Sequence, residues 1–166
     1  MPKKREFRTV RGYQLLKQSR GSELTPSMED YLEMIYRTCQ HSPSVRVNAL
    51  AQQLNVQAPS VTRTVRRLAE QGYVIYQKYG VIELTAKGEQ LGKYLLARHE
   101  TIEQFLSNLG VRASLLVDTE LIEHYLSSET VRSMEAWNAF LAENEDVLER
   151  FAEFWQQYAT NNKPLC

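Results

Sequence analysis

The stretch "APSVTRTVRRLAEQGYVIYQKYGVIELT", residues 58–85, constrains the fold more than any other. Pro59 lacks an N–H and has φ fixed near the helical value, so it suits the first turn of a helix. Val61, Val65 and Leu68 then recur at helical spacing and define an apolar face. Arg63 and Arg66 point away from that face, with Arg67 beside them and Ser60 and Thr62 near the helix start. Gly72 suits the position just past a helix end. After Gly72 the period changes, and two β-rich runs flank "QKYG", which is the pattern of a hairpin.

The upstream segments complete the arrangement. "PSMEDYLEMIYRTCQ" at 26–40 reads as a helix, with Tyr31, Leu32, Ile35 and Cys39 on one face and "TPS" supplying capping chemistry. "HSPS" at 41–44 breaks it, and "VRV" at 45–47 suits a short strand. Asn48 is placed to cap a short helix that turns Leu50, Ala51 and Leu54 inward, and "NVQAP" turns the chain. A short helix, a turn, a basic helix and a hairpin make a winged helix-turn-helix. Its outward arginines suit guanine edges or phosphates. Lys78 and Tyr79, at the hairpin tip, suit phosphate or groove contact.

Downstream the chain reads as α-helical. A long helix from Thr85 to about Asn108 carries the stripe Leu91, Leu95, Ile102, Leu106 and Leu109, and Gly110 ends it. Three further helices are expected at roughly 113–126, 128–142 and 144–160. Their apolar positions include Val131, Met134, Trp137 and Leu141, then Val147, Leu148, Phe151, Phe154, Trp155 and Tyr158. The expected fold is mostly α. It comprises a basic extension (1–24), a winged-helix DNA-binding domain (25–96) and a helical metal-binding and dimerisation domain (97–166).

The net charge is zero, but it is unevenly distributed. Residues 1–22 hold seven Lys/Arg against one Glu, and residues 44–98 hold eight basic against three acidic side chains. Residues 99–166 hold four basic and twelve acidic side chains. The asymmetry suits a front facing nucleic acid and an acidic rear, although differing solvated faces produce the same pattern. No apolar run is long enough to span a membrane, and the basic start lacks a signal-peptide core, so the expectation is a cytoplasmic protein. Cys39 and Cys166 form neither a disulfide framework nor a metal clip. No Walker loop, Gly-x-Ser-x-Gly or His-Glu-x-x-His occurs, which leaves an enzyme, or a small-molecule substrate, little support.

Three sets of side chains have metal-ligand chemistry. Asp30 and Glu33 lie at i, i+3, a spacing that suits a hard cation and equally suits carboxylates in an early helical turn. His99 lies on the apolar side of the long helix, as a buried histidine or a ligand. In "DTELIEHYL" (118–126), Glu120, Glu123 and His124 share one helix face. On the residues alone, that face is either the wet side of an amphipathic helix or half of a metal site.

With these stretches in view, the chain resembles the diphtheria-toxin-repressor family of metal-dependent transcriptional regulators, more narrowly its manganese transport regulator branch. The resemblance rests on "TPSMEDYLEMIY" (25–36), the run from 58 to 111, and "DTELIEHYLS" (118–127), and it spans roughly 25–142. It implies a manganese-responsive regulator, a repressor of metal-uptake genes, that binds operator DNA as a homodimer. The metal ligands it implies are Asp30, Glu33, His99, Glu120, Glu123 and His124, holding two Mn²⁺ per subunit, with Fe²⁺ or Zn²⁺ as competitors. The DNA-contacting residues are expected at Pro59, Ser60, Thr62, Arg63, Arg66, Arg67, Lys78 and Tyr79. In the iron-responsive branch, cysteine and methionine stand in place of Glu120 and Asp30; carboxylates at both positions suit Mn²⁺. The alternatives are a metal-independent winged-helix regulator with another effector and, more remotely, a metal-dependent hydrolase. The extension 1–24 and the tail beyond about 143 depart from the family pattern.

Overall fold

The computed structural model describes residues 24–162, so the basic extension 1–23 and the terminal Cys166 lie outside it. The chain divides into two compact units, one running to Lys93 and the other from Tyr94.

In the first unit, α1 spans Pro26–Cys39 and is capped by Thr25, whose side chain accepts a hydrogen bond from the Met28 amide. Strand β1 (Val45–Arg46) leads into α2 (Val47–Gln53), and α3 spans Ala58–Glu70. Asn48, expected as the cap of α2, instead lies within its first turn, and Arg46 occupies the cap. The strand stops at Arg46, so Val47 already belongs to the helix, which starts two residues earlier than the cap signal suggests.

Strands β2 (Val74–Tyr76) and β3 (Val81–Leu84) form the expected hairpin, and β1 joins it to give the antiparallel order β1-β3-β2. Val45 pairs with Ile82, and Tyr76 pairs with Ile82 from the other side. Tyr79, in the turn between β2 and β3, has φ of 64°, an uncommon conformation for a residue with a Cβ. Leu32, Ile35, Leu50, Val61, Val65, Leu68 and Ile82 have no exposed surface. Each fully buried aliphatic side chain contributes roughly 1.5–3 kcal/mol of transfer free energy, so this small unit has its own core.

The long helix α4 spans Ala86–Asn108. Thr85 starts it, its hydroxyl accepting from the Gly88 amide. A Cβ at Gly88 would lie 1.9 Å from the Tyr73 carbonyl oxygen, so glycine is required where the helix meets the wing.

In the second unit, α4 continues and is followed by α5 (Leu115–Ile122), α6 (Ser128–Glu143) and α7 (Glu145–Asn161). Leu95 and Ile102 are buried as expected, but Leu109 is exposed because α4 ends one residue before it. Val131 and Leu141 are buried on α6, whereas Trp137 is exposed. None of the described residues of α7 is buried: Phe154, Trp155 and Tyr158 stand exposed and stacked on one another.

Candidate metal centre and nucleic-acid interface

The second unit brings together four of the predicted ligands. His99, on α4, is almost wholly buried. Its Nδ1 lies 3.1 Å from Glu123 Oε2 and 3.7 Å from Glu120 Oε1. His124 Nε2 lies 3.4 Å from Glu123 Oε1. Donors at right angles around a cation with ~2.1 Å bonds lie about 3 Å apart, so side chains this close could converge on a common cation. The donor set is nitrogen and carboxylate oxygen throughout, which suits Mn²⁺ and other borderline or hard divalent cations.

The local fold differs from the expected helix over 113–126. Helix α5 stops at Ile122, Glu123 is its C-cap with helical dihedrals, and His124 lies in the turn that follows. Burial at three positions departs from that of an ordinary amphipathic helix. Glu123 is 1% exposed, whereas Leu121 is 61% and Tyr125 57% exposed. A carboxylate buried this deeply needs partners of opposite charge or hydrogen-bond donors. Arg98, itself buried, places Nη2 3.7 Å from Glu123 Oε1 and 3.5 Å from His124 Nδ1. These contacts call for one tautomer of each neutral ring. A carboxylate only accepts, so His99 Nδ1–H donates to Glu123 and the His99 Nε2 lone pair points elsewhere. A guanidinium only donates, so His124 Nδ1 accepts and its proton sits on Nε2.

The other two predicted ligands lie on α1 in the first unit. Glu33 is buried and accepts from Arg37 Nε at 2.9 Å and Nη2 at 2.6 Å; Asp30 lies one turn earlier and is partly exposed. Next to them on α1, the Tyr31 hydroxyl meets the Ser60 hydroxyl of α3 at 3.3 Å. Cys39, also on α1, is not activated. Burial first, and Glu83 second, push its thiol above the usual range, so it stays protonated and makes a poor metal ligand.

Four arginines of the first unit line a groove of about 810 Å³ between α3 and the wing. Pro59, Thr62, Arg63, Arg66, Arg67 and Tyr79 line it as expected, joined by Arg46, Asn48 and Tyr76. Arg46 comes from β1, and its part in this surface is not legible from helix periodicity. Ser60 and Lys78 do not line the groove, although both are exposed. Four guanidiniums on one concave face form an electrostatic footprint for phosphate.

Comparison with known proteins agrees with this geometry. "Iron dependent repressor, N-terminal DNA binding domain" matches residues 23–82, and "Iron dependent repressor, metal binding and dimerisation domain" matches residues 85–155. The chain is 41% identical over 127 residues to the HTH-type transcriptional regulator MntR of Lysinibacillus sphaericus (strain C3-41), covering 76% of this chain and 91% of that protein. It is 43% identical over 126 residues to the protein of the same name from Listeria welshimeri, covering 75% of this chain and 89% of that one. Among solved structures it is similar to the manganese regulator SloR, with a TM-score of 0.60 and 31% identity. That match covers 69% of this chain and 54% of the SloR chain, so this chain spans about half of SloR's length.

Proposed function

The chain belongs to the iron-dependent repressor family, and from that premise we propose that it is a manganese-responsive DNA-binding regulator of transcription, acting as a repressor of metal-uptake genes. The observation that carries this reading is the cluster of His99, Glu120, Glu123 and His124, built around the buried His99 and Glu123, whose donors are nitrogen and carboxylate oxygen. We propose that these four, with Asp30 and Glu33, hold two Mn²⁺ per subunit. Bound cations supply the positive charge that lets clustered carboxylates stay ionised and close together. On the protein's side, Asp30 and Glu33 stand on α1, and α1 touches the basic helix α3 through Tyr31 and Ser60. Ordering of α1 therefore bears directly on the DNA-reading element. Among the described residues no helix is long and apolar enough to cross a membrane.

The test is binding to its own promoter DNA with and without Mn²⁺ after chelation, where equal affinity would favour a metal-independent regulator. The DNA surface has its own expectations. Arg63→Ala should lose about 1–3 kcal/mol of operator affinity if Arg63 reads a base edge. Lys78→Ala should weaken binding to all sequences and flatten the salt slope by about one unit. If fluorescence anisotropy finds both variants at wild-type affinity, α3 and the wing do not hold the DNA.

We further propose that the operator is read by a homodimer. Helix α5 leaves Leu116, Val117, Leu121 and, just past its end, Tyr125 exposed as one apolar patch. A contiguous patch of this kind on an isolated chain marks a protein interface. Leu121→Asp should turn the dimer into a monomer at micromolar concentration, as read by sedimentation velocity, because an unpaired charge would be buried. Persistence of the dimer would move the interface elsewhere.

A further inference from the structure

Arg98 is the group in this centre that the ligand pattern does not use. It is 7% exposed and always charged, yet it faces two of the proposed ligands, with Nη2 3.5 Å from His124 Nδ1 and 3.7 Å from Glu123 Oε1. The contact with His124 has a chemical consequence. With Nδ1 accepting from the guanidinium, a neutral His124 carries its proton on Nε2. A cation at Nε2 would need that lone pair freed, which moves the proton to Nδ1 and sets it against the donor Arg98. A cation at Nδ1 would need the guanidinium to withdraw. Either way, ligation by His124 and the Arg98–His124 hydrogen bond exclude each other.

Resting on the reading of this cluster as a metal centre, we propose that Arg98 is an internal competitor for the metal at His124 and Glu123 and thereby sets the Mn²⁺ concentration to which the regulator responds. Two effects act in the same direction. The guanidinium hydrogen-bonds His124 Nδ1 and ion-pairs with Glu123, and its charge repels a divalent cation at close range in a buried setting. Raw affinity is not what such a centre lacks, because buried carboxylates with imidazoles bind cations readily. A regulator also needs a threshold, and a buried fixed charge raises that threshold without removing a ligand.

The experiment is Mn²⁺ affinity by isothermal titration calorimetry on the full chain, checked by the electron paramagnetic resonance signal of free Mn²⁺. Arg98→Met should bind Mn²⁺ about tenfold more tightly, the low end of what a hydrogen bond to a charged group is worth, since this one is long. Arg98→Lys, which keeps the charge but loses the planar fork, should fall between Met and wild type. Unchanged or weaker binding by a folded Arg98→Met would overturn the proposal. Should that variant fail to fold, ¹⁵N NMR of the metal-stripped wild type decides, with His124 expected as the Nε2–H tautomer. The Nδ1–H tautomer there would overturn the proposal equally. Wild type that takes up no Mn²⁺ at all would instead refute the metal-centre reading.

Discussion

Chelation of divalent metal should lower the operator affinity of the native protein by about 5- to 150-fold, the range of an ordinary allosteric coupling, and added Mn²⁺ should restore it. Two substitutions separate the parts of this effect. Glu123 is 1% exposed and faces His99 at 3.1 Å and His124 at 3.4 Å, so it is the hub of the four proposed ligands in the second unit. Glu123→Gln keeps the shape but removes the charge and turns half of an acceptor into a donor. It should abolish strong Mn²⁺ uptake and leave DNA affinity at the chelated level with or without metal. Glu33→Gln acts on α1, whose Tyr31 meets Ser60 on the recognition helix. It should keep part of the metal binding while losing most of the gain in DNA affinity. The measurement is fluorescence anisotropy on promoter DNA beside calorimetry on each variant. A chelated native protein that binds as tightly as the Mn²⁺-loaded one would leave the metal with no regulatory part.

The winged helix is legible in the sequence because each of its boundaries carries independent chemistry. Pro59 opens α3, Gly72 follows its end with φ of 76°, and the apolar period changes from helical to alternating just beyond. The polar cluster is less legible for a physical reason. Periodicity identifies two faces of a helix but not which one is inward. For "DTELIEHYL" the usual assignment puts Leu121 and Tyr125 inside, whereas in this chain Glu123 turns in and Leu121 and Tyr125 stand exposed. The proposed ligand chemistry would reverse the ordinary rule, because buried carboxylates can share a cation and an apolar patch can be covered by another subunit. Helix length is similarly hidden. Glu123 keeps helical dihedrals, but Tyr125 N bonds to Ile122 O, a tighter turn that no cap signal in the sequence announces. Helix α7 shows a third limit. Its aromatic stripe is plain in the sequence, yet none of its described residues is buried, so a stripe predicts a helix without predicting what packs on it. The part played by Arg98 is invisible for a simpler reason: its partner His124 lies 26 residues away, beyond the end of α4.

Metal choice gives the other large effect, and it turns on Asp30 and Glu120. Zn²⁺ outranks Mn²⁺ in raw affinity at almost any nitrogen and oxygen site, so affinity alone cannot make a manganese regulator. Geometry can. Zn²⁺ is satisfied by four ligands, whereas Mn²⁺ accepts more oxygen donors, and four carboxylates with two imidazoles supply enough for two cations with bridging oxygens. In the native protein Zn²⁺ should therefore bind more tightly than Mn²⁺ yet activate DNA binding less, because it need not fill both positions. Replacing Glu120 with Cys and Asp30 with Met changes the character of the donors, since a thiolate and a thioether are softer than carboxylates. Glu120 is half exposed and 3.7 Å from His99, so a cysteine there would be accessible and close to an imidazole, unlike the partly buried Cys39 thiol. The double variant Glu120→Cys with Asp30→Met should lose most of its response to Mn²⁺ and gain one to Fe²⁺ under anaerobic conditions. The check is DNA affinity titrated with each metal in both proteins. Equal activation of the native protein by Zn²⁺ and Mn²⁺ would mean that coordination number does not select the metal. A double variant that still follows Mn²⁺ would mean that Asp30 and Glu120 do not contribute ligands.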